Sequence, residues 1–295
     1  MSGNIRTVAL VTGATGAIGK AIARQLAANA GNSTEAAGPA EADKAAVRAG
    51  AAAPAAATDE VGYEVVLAAR DEEAARAAVA EIQQQTGNPH VRYELVDVSS
   101  RASIEALAAR WRGPLHVLIN DAAACPRRRL ETPDGIEVQF ATNVLGYVWM
   151  TLAFADALKA SAPARVVNVA SYWAGDLDLN DLEFKCRRYD NNAAYRQSKQ
   201  ANRMLTAALA ERFAEHGVAV NSCHPGDVNS KLSNDLGFGG HESPDEGART
   251  PVWLATSPIM QSETGQYFAH MRAEHDPFAD DKAAIERLYE LCLGY

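Results

Sequence analysis

The sequence lacks any apolar run that approaches the roughly 18 to 20 residues of a membrane-spanning helix. Residues 1–7 are polar and lead directly into a strand-like run, so no secretory signal is predicted. The last residues, Leu293-Gly294-Tyr295, do not form a peroxisomal targeting tripeptide. We therefore expect a cytoplasmic protein with no membrane span.

The sequence also has few cysteines, and its net charge is negative. The cysteines are widely scattered and include no C-x-x-C pair, so we predict reduced thiols and no metal site. The formal net charge of -9 argues against a nucleic-acid partner. The chain has 295 residues, 47% of them hydrophobic, which predicts one α/β domain over 1–295.

Short apolar runs alternate with helical patterns along the chain. The run 7–12 is continuously apolar, which is typical of a strand buried on both faces of a parallel sheet. Further strands are predicted at 64–69, 91–96, 115–120, 165–170 and 218–223, and helices at 18–30, 72–86, 102–111, 136–160 and 193–216. This alternation predicts βαβ units in a Rossmann-type, doubly wound parallel sheet.

Segment 31–60 departs from this rhythm. It is rich in alanine with interspersed glycine and proline, and it has almost no large apolar side chain. Such a composition predicts a low-complexity insertion that is disordered or loosely helical. It joins the first helix to the second strand, on the side of the sheet opposite to the carboxyl ends where ligands bind. A partner-binding role is the alternative.

Three glycines, Gly13, Gly16 and Gly19, lie between the first strand and the first helix. Glycine allows a tight turn and a close approach of the backbone to a pyrophosphate, and a helix N-terminus attracts the phosphates. The strand–glycine–helix order therefore predicts a dinucleotide site. Its other expected contacts in this turn are Thr15, Ala17 and Ile18.

The end of the second strand indicates which dinucleotide binds. An acidic residue there usually binds the ribose of NAD, whereas a nearby arginine accommodates the 2′-phosphate of NADP. Here Ala69 is neutral, Arg70 follows it, and Asp71 comes one residue late. NADP(H) is therefore favoured over NAD(H). The alternative is that Arg70 faces solvent or pairs with a helix carboxylate.

Tyr195 and Lys199 are four residues apart within a predicted helix, so their side chains share one face. A phenol beside an ammonium forms an acid/base unit. The positive charge should lower the tyrosine pKa from about 10 toward neutral pH.

These residues together resemble the short-chain dehydrogenase/reductase family over nearly the whole chain outside 31–60. By this resemblance, Asp97 and Val98 contact the adenine. The segment 120–123, Asn-Asp-Ala-Ala, is similar to the family's Asn-Asn-Ala-Gly and supplies Asn120 and Ala122 to the cofactor site. Asp121 and Ala123 depart from that motif, and neither departure is expected to touch a catalytic group.

The resemblance also implies four catalytic residues, Asn143, Ser171, Tyr195 and Lys199. Tyr195 would be the general acid/base, and Ser171 would hydrogen-bond the substrate oxygen. Lys199 would lower the tyrosine pKa and bind the nicotinamide ribose, and Asn143 would hold a relay water. Pro225, Gly226 and Val228 would contact the nicotinamide.

Several segments resemble the retinol-dehydrogenase-like and WW-domain-oxidoreductase-like branch, namely 139–146, 188–190, 195–202, 224–228 and 264–268. Relatives there often act on lipophilic carbonyls. The resemblance thus implies an NADP(H)-dependent oxidoreductase that interconverts an alcohol and a carbonyl on a small molecule. The alternative is a non-catalytic dinucleotide-binding sensor or scaffold. Relatives often form homodimers through the helices that begin near 136 and 193, but monomers also occur.

Three features near the predicted site each have two alternative interpretations. Residues 227–248 are a mobile lid over the substrate or a plain exposed loop. The arginines at 127–129 attract an anionic substrate or form a solvated turn. Tyr172 and Trp173 line an apolar substrate pocket or pack as core beneath residues 176–192.

Overall fold

The structure, a computed structural model, describes residues 6–29 and 62–295. The predicted insertion at 31–60 lies outside these residues. In the described part the chain forms eight strands: β1 Thr7–Thr12, β2 Tyr63–Ala69, β3 Val91–Leu95, β4 Val117–Asn120, β5 Ala164–Val169, β6 Val218–His224, β7 Tyr267–Ala269 and β8 Arg272–Glu274. They build one sheet in the order β3-β2-β1-β4-β5-β6-β7-β8. All neighbours are parallel except β7 and β8, which form an antiparallel edge.

Nine α-helices cover the sheet in the described residues: α1 Ala17–Ala28, α2 Glu72–Thr86, α3 Arg101–Arg110, α4 Gly146–Ala153, α5 Ala155–Ala160, α6 Asn191–Phe213, α7 Lys231–Leu236, α8 Pro244–Thr256 and α9 Lys282–Leu293. The predicted α/β, doubly wound fold is confirmed. The short elements β7, β8 and α7 were not predicted, and neither were the longer helices α8 and α9.

Side chains of β1 show how the sheet builds two cores. Val8 and Leu10 point into the core formed with α3, α4, α6 and α9. Ala9 and Val11 point into the core formed with α1, α2 and α8. Because successive residues of a strand face opposite sides, a strand covered on both faces must be apolar throughout.

The predicted helix over 136–160 is interrupted twice. A π-helical turn occupies Phe140–Leu145, and the backbone leaves the helical conformation at Phe154, which separates α4 from α5. In the π turn, Asn143 bonds the backbone of Ala124, accepting from its N–H at 2.8 Å and donating to its carbonyl at 3.0 Å. Such turns frequently occur at functional sites.

Candidate active site

A cleft of about 930 Å³ follows the carboxyl ends of the strands. It crosses β1 and β4, where the chain's strand order reverses and open α/β sheets bind their ligands. Twelve of the predicted site residues line it: Gly13, Thr15, Gly16, Ala17, Ile18, Arg70, Asp97, Val98, Ala122, Tyr195, Lys199 and Pro225.

The glycine turn has no room for side chains. Gly13 adopts a left-handed conformation with φ of 69°, and a Cβ there would lie 2.8 Å from the backbone of Ala122. A Cβ on Gly19 would lie 2.4 Å from the Gly13 carbonyl oxygen. Gly16 begins α1 without a side-chain cap, so no side chain there competes for the first N–H groups of the helix. These features fit a dinucleotide pyrophosphate.

Arg70 and Asp71 have different roles at the end of β2. The Asp71 carboxylate caps α2 by accepting from the Ala74 N–H at 2.8 Å. Arg70 is exposed at the cleft and forms no ion pair with any residue in the described ranges. The acidic residue is therefore engaged by the helix, and the guanidinium stays available to an anionic group.

Four predicted cofactor residues lie away from the cleft lining. Asn120 is buried and donates to Asn168 Oδ1 at 2.9 Å. Gly19 packs against the Gly13 carbonyl. Gly226 and Val228 line a second cavity beside the cleft. Asn120 and Gly19 thus stabilise the frame of the site in this structure.

Asp97 and Val98 follow the end of β3. The Asp97 carboxylate accepts from the Ser99 N–H and hydroxyl at 2.9 and 2.7 Å, which fixes the turn before α3. Val98 is buried. Both residues line the cleft on the side of β2 and β3.

The structure brings Ser171, Tyr195 and Lys199 together. Ser171 and Tyr195 line the same cavity, and the Ser171 hydroxyl acts on the Tyr195 phenol by lowering its pKa. The Lys199 Nζ lies 5.6 Å from the centre of the Tyr195 ring and donates to the Val169 carbonyl at 2.7 Å. Asp190 caps α6 and sets this helix so that both side chains reach the carboxyl edge of the sheet.

Asn143 is buried on the same side of the sheet but makes no direct hydrogen bond to Lys199. Its Nδ2 donates to the Ser198 hydroxyl at 3.2 Å as well as to Ala124. These bonds hold the loop after β4 against α6.

The expected pKa shift of Tyr195 is wrong for the protein as the structure shows it. Burial raises its pKa above the ordinary value, and the Ser171 hydroxyl opposes this only in part. Burial also lowers the pKa of Lys199. Helical spacing places an ammonium near the phenol, but it does not show how strongly burial in the folded protein desolvates that phenol.

Asp121 was not predicted to influence the charge of Lys199. Its carboxylate lies in the cleft and interacts electrostatically with Lys199. Burial raises the pKa of Asp121, while the Lys199 charge and the Gly19 backbone N–H oppose the rise. The departure from the Asn-Asn-Ala-Gly motif was the available signal.

A second cavity of about 490 Å³ adjoins the cleft, and Tyr195 lines both. Trp173 and Phe238 pack edge to face in its wall, with ring centres 5.2 Å apart. Tyr172 is 55% exposed and stacks on His224 at 4.5 Å. Tyr172 and Trp173 therefore line a cavity and are not core residues.

His224 forms part of the same cavity wall. It is buried, and its Nδ1 has no hydrogen-bond partner among the described residues. Burial lowers its pKa to about 4, so the imidazole is neutral at physiological pH.

Residues 227–248 are not a plain loop. They contain α7 and the start of α8, and Val228 pairs with Glu242 in an isolated β-bridge. Gly240, with φ of 102°, lies so close to Val228 that a Cβ would be 2.6 Å from its carbonyl. This segment covers the second cavity, and its motion stays a prediction.

The three arginines at 127–129 do not act as one patch. Arg127 lines the cleft, while Arg129 donates to the Glu183 carbonyl and to Glu131.

Within residues 6–29 and 62–295, no helix is both long and apolar enough to cross a bilayer.

Comparison with known proteins identifies this arrangement. A family model described as short chain dehydrogenase matches residues 50–237. The chain belongs to the short-chain dehydrogenase family. The predicted family resemblance is thereby confirmed, and the protein is an oxidoreductase of this family.

Similar curated proteins carry retinol dehydrogenase names. Retinol dehydrogenase 13 of Mus musculus is 34% identical over 249 residues, which make up 77% of this chain and 75% of that protein. Retinol dehydrogenase 12 of Homo sapiens is 31% identical over 301 aligned residues, covering 96% of this chain and 84% of that protein. The predicted retinol-dehydrogenase-like branch is confirmed.

Solved structures share the short-chain dehydrogenase fold. An uncharacterized protein from Mycobacterium paratuberculosis superposes with a TM-score of 0.71 at 26% identity, over 98% of this chain and 92% of that chain. A variant of actinorhodin polyketide ketoreductase, solved with NADPH, gives a TM-score of 0.62 at 23% identity, over 91% and 97%. At that identity the likeness concerns the fold.

Membership in the family and the retinol dehydrogenase relatives support a common reaction class. The short-chain dehydrogenase described here is an oxidoreductase that acts on an alcohol or carbonyl with a nicotinamide dinucleotide.

Proposed function

We propose that this short-chain dehydrogenase interconverts an alcohol and a carbonyl on a lipophilic small molecule, with NADP(H) as cofactor and Tyr195 as general acid/base. The observation that carries the proposal is the position of Tyr195. Its side chain borders both the cleft and the aromatic cavity, and Ser171 lines that cavity beside it. A substrate oxygen at this junction would lie within reach of both hydroxyls.

The cofactor residues divide into two groups along the cleft. The glycine turn and the first turn of α1 would hold the pyrophosphate, and Arg70 would bind a 2′-phosphate. Lys199 would bind the nicotinamide ribose, and Pro225 would contact the nicotinamide ring. The bound dinucleotide supplies or accepts the hydride.

The protein's own residues handle the oxygen and the proton. The hydroxyls of Ser171 and Tyr195 would donate to the carbonyl oxygen, a preorganised contact to the charge that develops there. Tyr195 would then release its proton to that oxygen, or take it back in the reverse direction. Such acid/base help typically contributes about 10²- to 10⁴-fold to the rate.

Lys199 would complete the proton path. Its ammonium lies 5.6 Å from the centre of the Tyr195 ring and would stabilise negative charge on the phenol as the proton leaves. Asn143 would place a relay water near Lys199. The bonds from Asn143 to Ala124 and Ser198 hold it rigidly for this role.

The second cavity supports a lipophilic substrate. Trp173 and Phe238 form apolar walls, and Leu232 adds an aliphatic side chain. His224 adds no positive charge there because burial keeps it neutral. Ligand sites of this kind combine mostly apolar walls with a few polar groups. The retinol dehydrogenase names of the relatives agree with this class of substrate.

Two further predictions concern the setting of the enzyme. We propose a cytoplasmic location, supported by the free thiols at Cys125, Cys186, Cys223 and Cys292. A homodimer through α6 would have to accommodate α9, whose Ile285 and Leu288 already pack against that side of the core. Light scattering at several concentrations would determine the oligomeric state.

A turnover screen tests the proposal directly. NADPH oxidation should be followed at 340 nm with aldehydes and ketones of increasing apolar size. The activity kcat/KM should rise with apolar size and should exceed that for small polar carbonyls. Tight NADPH binding without turnover of any carbonyl, and without NADP⁺ reduction by the matching alcohols, would favour the alternative of a sensor or scaffold.

A further inference from the structure

Asp121 stands directly after β4, at the carboxyl edge of the sheet. The register of β4 and β5 pairs Asn120 with Asn168, so Asp121 and Val169 occupy the next step of adjacent strands. Neighbouring strands are about 4.7–4.9 Å apart. The Lys199 Nζ bonds the Val169 carbonyl at 2.7 Å, which brings the ammonium to the same point of the edge.

The backbone and side chain of Asp121 are both held in place. Its N–H donates to the Thr12 hydroxyl at 3.0 Å. Its carboxylate Oδ2 lies 2.8 Å from where a Gly19 Cβ would be, so the carboxylate is close to the start of α1. The carboxylate therefore stays at the cleft floor between the start of α1 and Lys199.

The other groups that face Lys199 offer no compensating charge. The ring of Tyr147 on α4 and that of Tyr195 on α6 lie 5.4 and 5.6 Å from its Nζ. Cys223 on β6 is the remaining titratable neighbour. Burial raises the pKa of all three, so each is neutral near pH 7. Among the described residues that act electrostatically on Lys199, Asp121 is the one with a carboxylate side chain.

A buried ammonium without a counter-ion loses its proton readily, because desolvation disfavours the charged form. Burial does lower the pKa of Lys199, and the Asp121 charge is the largest influence that opposes this. The same charge also raises the pKa of Tyr195. Both effects keep protons on the residues that the proposed reaction uses in the direction of carbonyl reduction.

We propose that Asp121 is a positioning residue of the active site, whose carboxylate is the counter-ion that keeps Lys199 charged at neutral pH. The kinetic consequence rests on the proposed function, but the electrostatic interaction between Asp121 and Lys199 requires no turnover. Asp121 acts through Lys199 and is not assigned a contact with the substrate.

The interaction between Asp121 and Lys199 is tested on the cofactor-free protein by NMR titration of lysine labelled at Cε, with Lys199→Met to assign the signal. In Asp121→Asn the Lys199 midpoint should move to lower pH by about one unit, since a nearby opposite charge typically shifts a pKa by about 1–3 units. Asp121→Ser, which is smaller and equally neutral, should give the same displacement. Asp134→Asn removes an exposed carboxylate in a remote turn and should leave the midpoint unchanged. Equal midpoints in the unmodified protein and both Asp121 variants would overturn the proposal.

The positioning role is tested by the pH profile of carbonyl reduction. The alkaline limb of kcat in Asp121→Asn should move to lower pH, because Lys199 and Tyr195 both lose their protons earlier. A shifted Lys199 midpoint with an unmoved limb would overturn this role. If the unmodified enzyme reduces no carbonyl while the midpoint still shifts, the proposed function fails and the inferred interaction between Asp121 and Lys199 stands. If the enzyme turns over and neither quantity moves, the proposed function stands and the inference about Asp121 fails.

Discussion

Ser171 and Tyr195 both line the aromatic cavity beside the cofactor cleft, where the Ser171 hydroxyl opposes the rise that burial causes in the pKa of Tyr195. Ser171 follows β5, and Tyr195 lies in the second turn of α6. Their proximity therefore depends on how α6 packs over the carboxyl edge of the sheet. Because Tyr195 borders both the cleft and the aromatic cavity, this packing puts the proposed proton donor where the two cavities meet.

The preference for NADP(H) depends on Arg70. Replacing it in Arg70→Ala should raise KM for NADPH by about 10- to 100-fold, since a hydrogen bond to a charged group is worth about 1.5–3 kcal/mol. The KM for NADH should change little, because NADH has no 2′-phosphate. Arg76→Ala, on the exposed face of α2, is the matched control. A KM for NADPH that stays unchanged in Arg70→Ala would contradict the assignment.

The glycine turn is predicted to tolerate no Cβ at Gly19. Gly19→Ala should weaken dinucleotide binding at least about tenfold, because the added carbon would meet the Gly13 carbonyl and shift the turn. Titration calorimetry with NADPH measures the change. Gly87→Ala strains a left-handed residue that has open space around it, so it should reduce stability without changing affinity. Wild-type affinity in Gly19→Ala would refute this account of the turn.

The amino-acid sequence alone predicted many of the helices and strands and a large part of the candidate site. The helix 72–86 has the predicted bounds, because its alanine-rich face and the Asp71 cap are local signals. The pairing of Tyr195 with Lys199 follows from helical spacing alone. The glycines of the first turn are recognisable from their place between a strand and a helix.

Other features depend on tertiary packing and could not be predicted in this way. β7 has only three residues, and its strand conformation comes from pairing with β6. The pKa of Tyr195 depends on desolvation, which spacing does not show. The link between Asp121 and Lys199 requires the register of β4 and β5. A readable signal was overlooked at α8, where Ser243 and Glu246 form a capping box.

Trp173 is expected to bind the apolar part of the substrate. Trp173→Ala should raise KM for large apolar carbonyls about tenfold or more, while KM for NADPH stays constant, because the side chain lines the second cavity only. Trp173→Phe keeps an aromatic wall and should recover most of the loss. An equal effect on small and large carbonyls would argue against this substrate position.

The buried imidazole of His224 should make the free energy of unfolding depend on pH in the acidic range. Its pKa is about 4 in the folded protein against about 6.5 unfolded, so the unfolded state binds more protons between these values. Stability should therefore fall as the pH drops through this window, by about 2 kcal/mol from this residue between pH 7 and pH 5. Urea unfolding at both pH values should show a smaller fall in His224→Asn. The same fall in both proteins would contradict the buried, neutral imidazole.

The most direct test of the account is the loss of one oxygen atom in Tyr195→Phe. Turnover of NADPH with the best carbonyl from the screen should fall by about 10²- to 10⁴-fold, since the proton donor is removed. The Kd for NADPH, followed by fluorescence, should stay nearly unchanged. Tyr289→Phe, in α9 away from the site, is the matched control. Turnover of Tyr195→Phe close to that of the unmodified enzyme would contradict the role of Tyr195 as general acid/base.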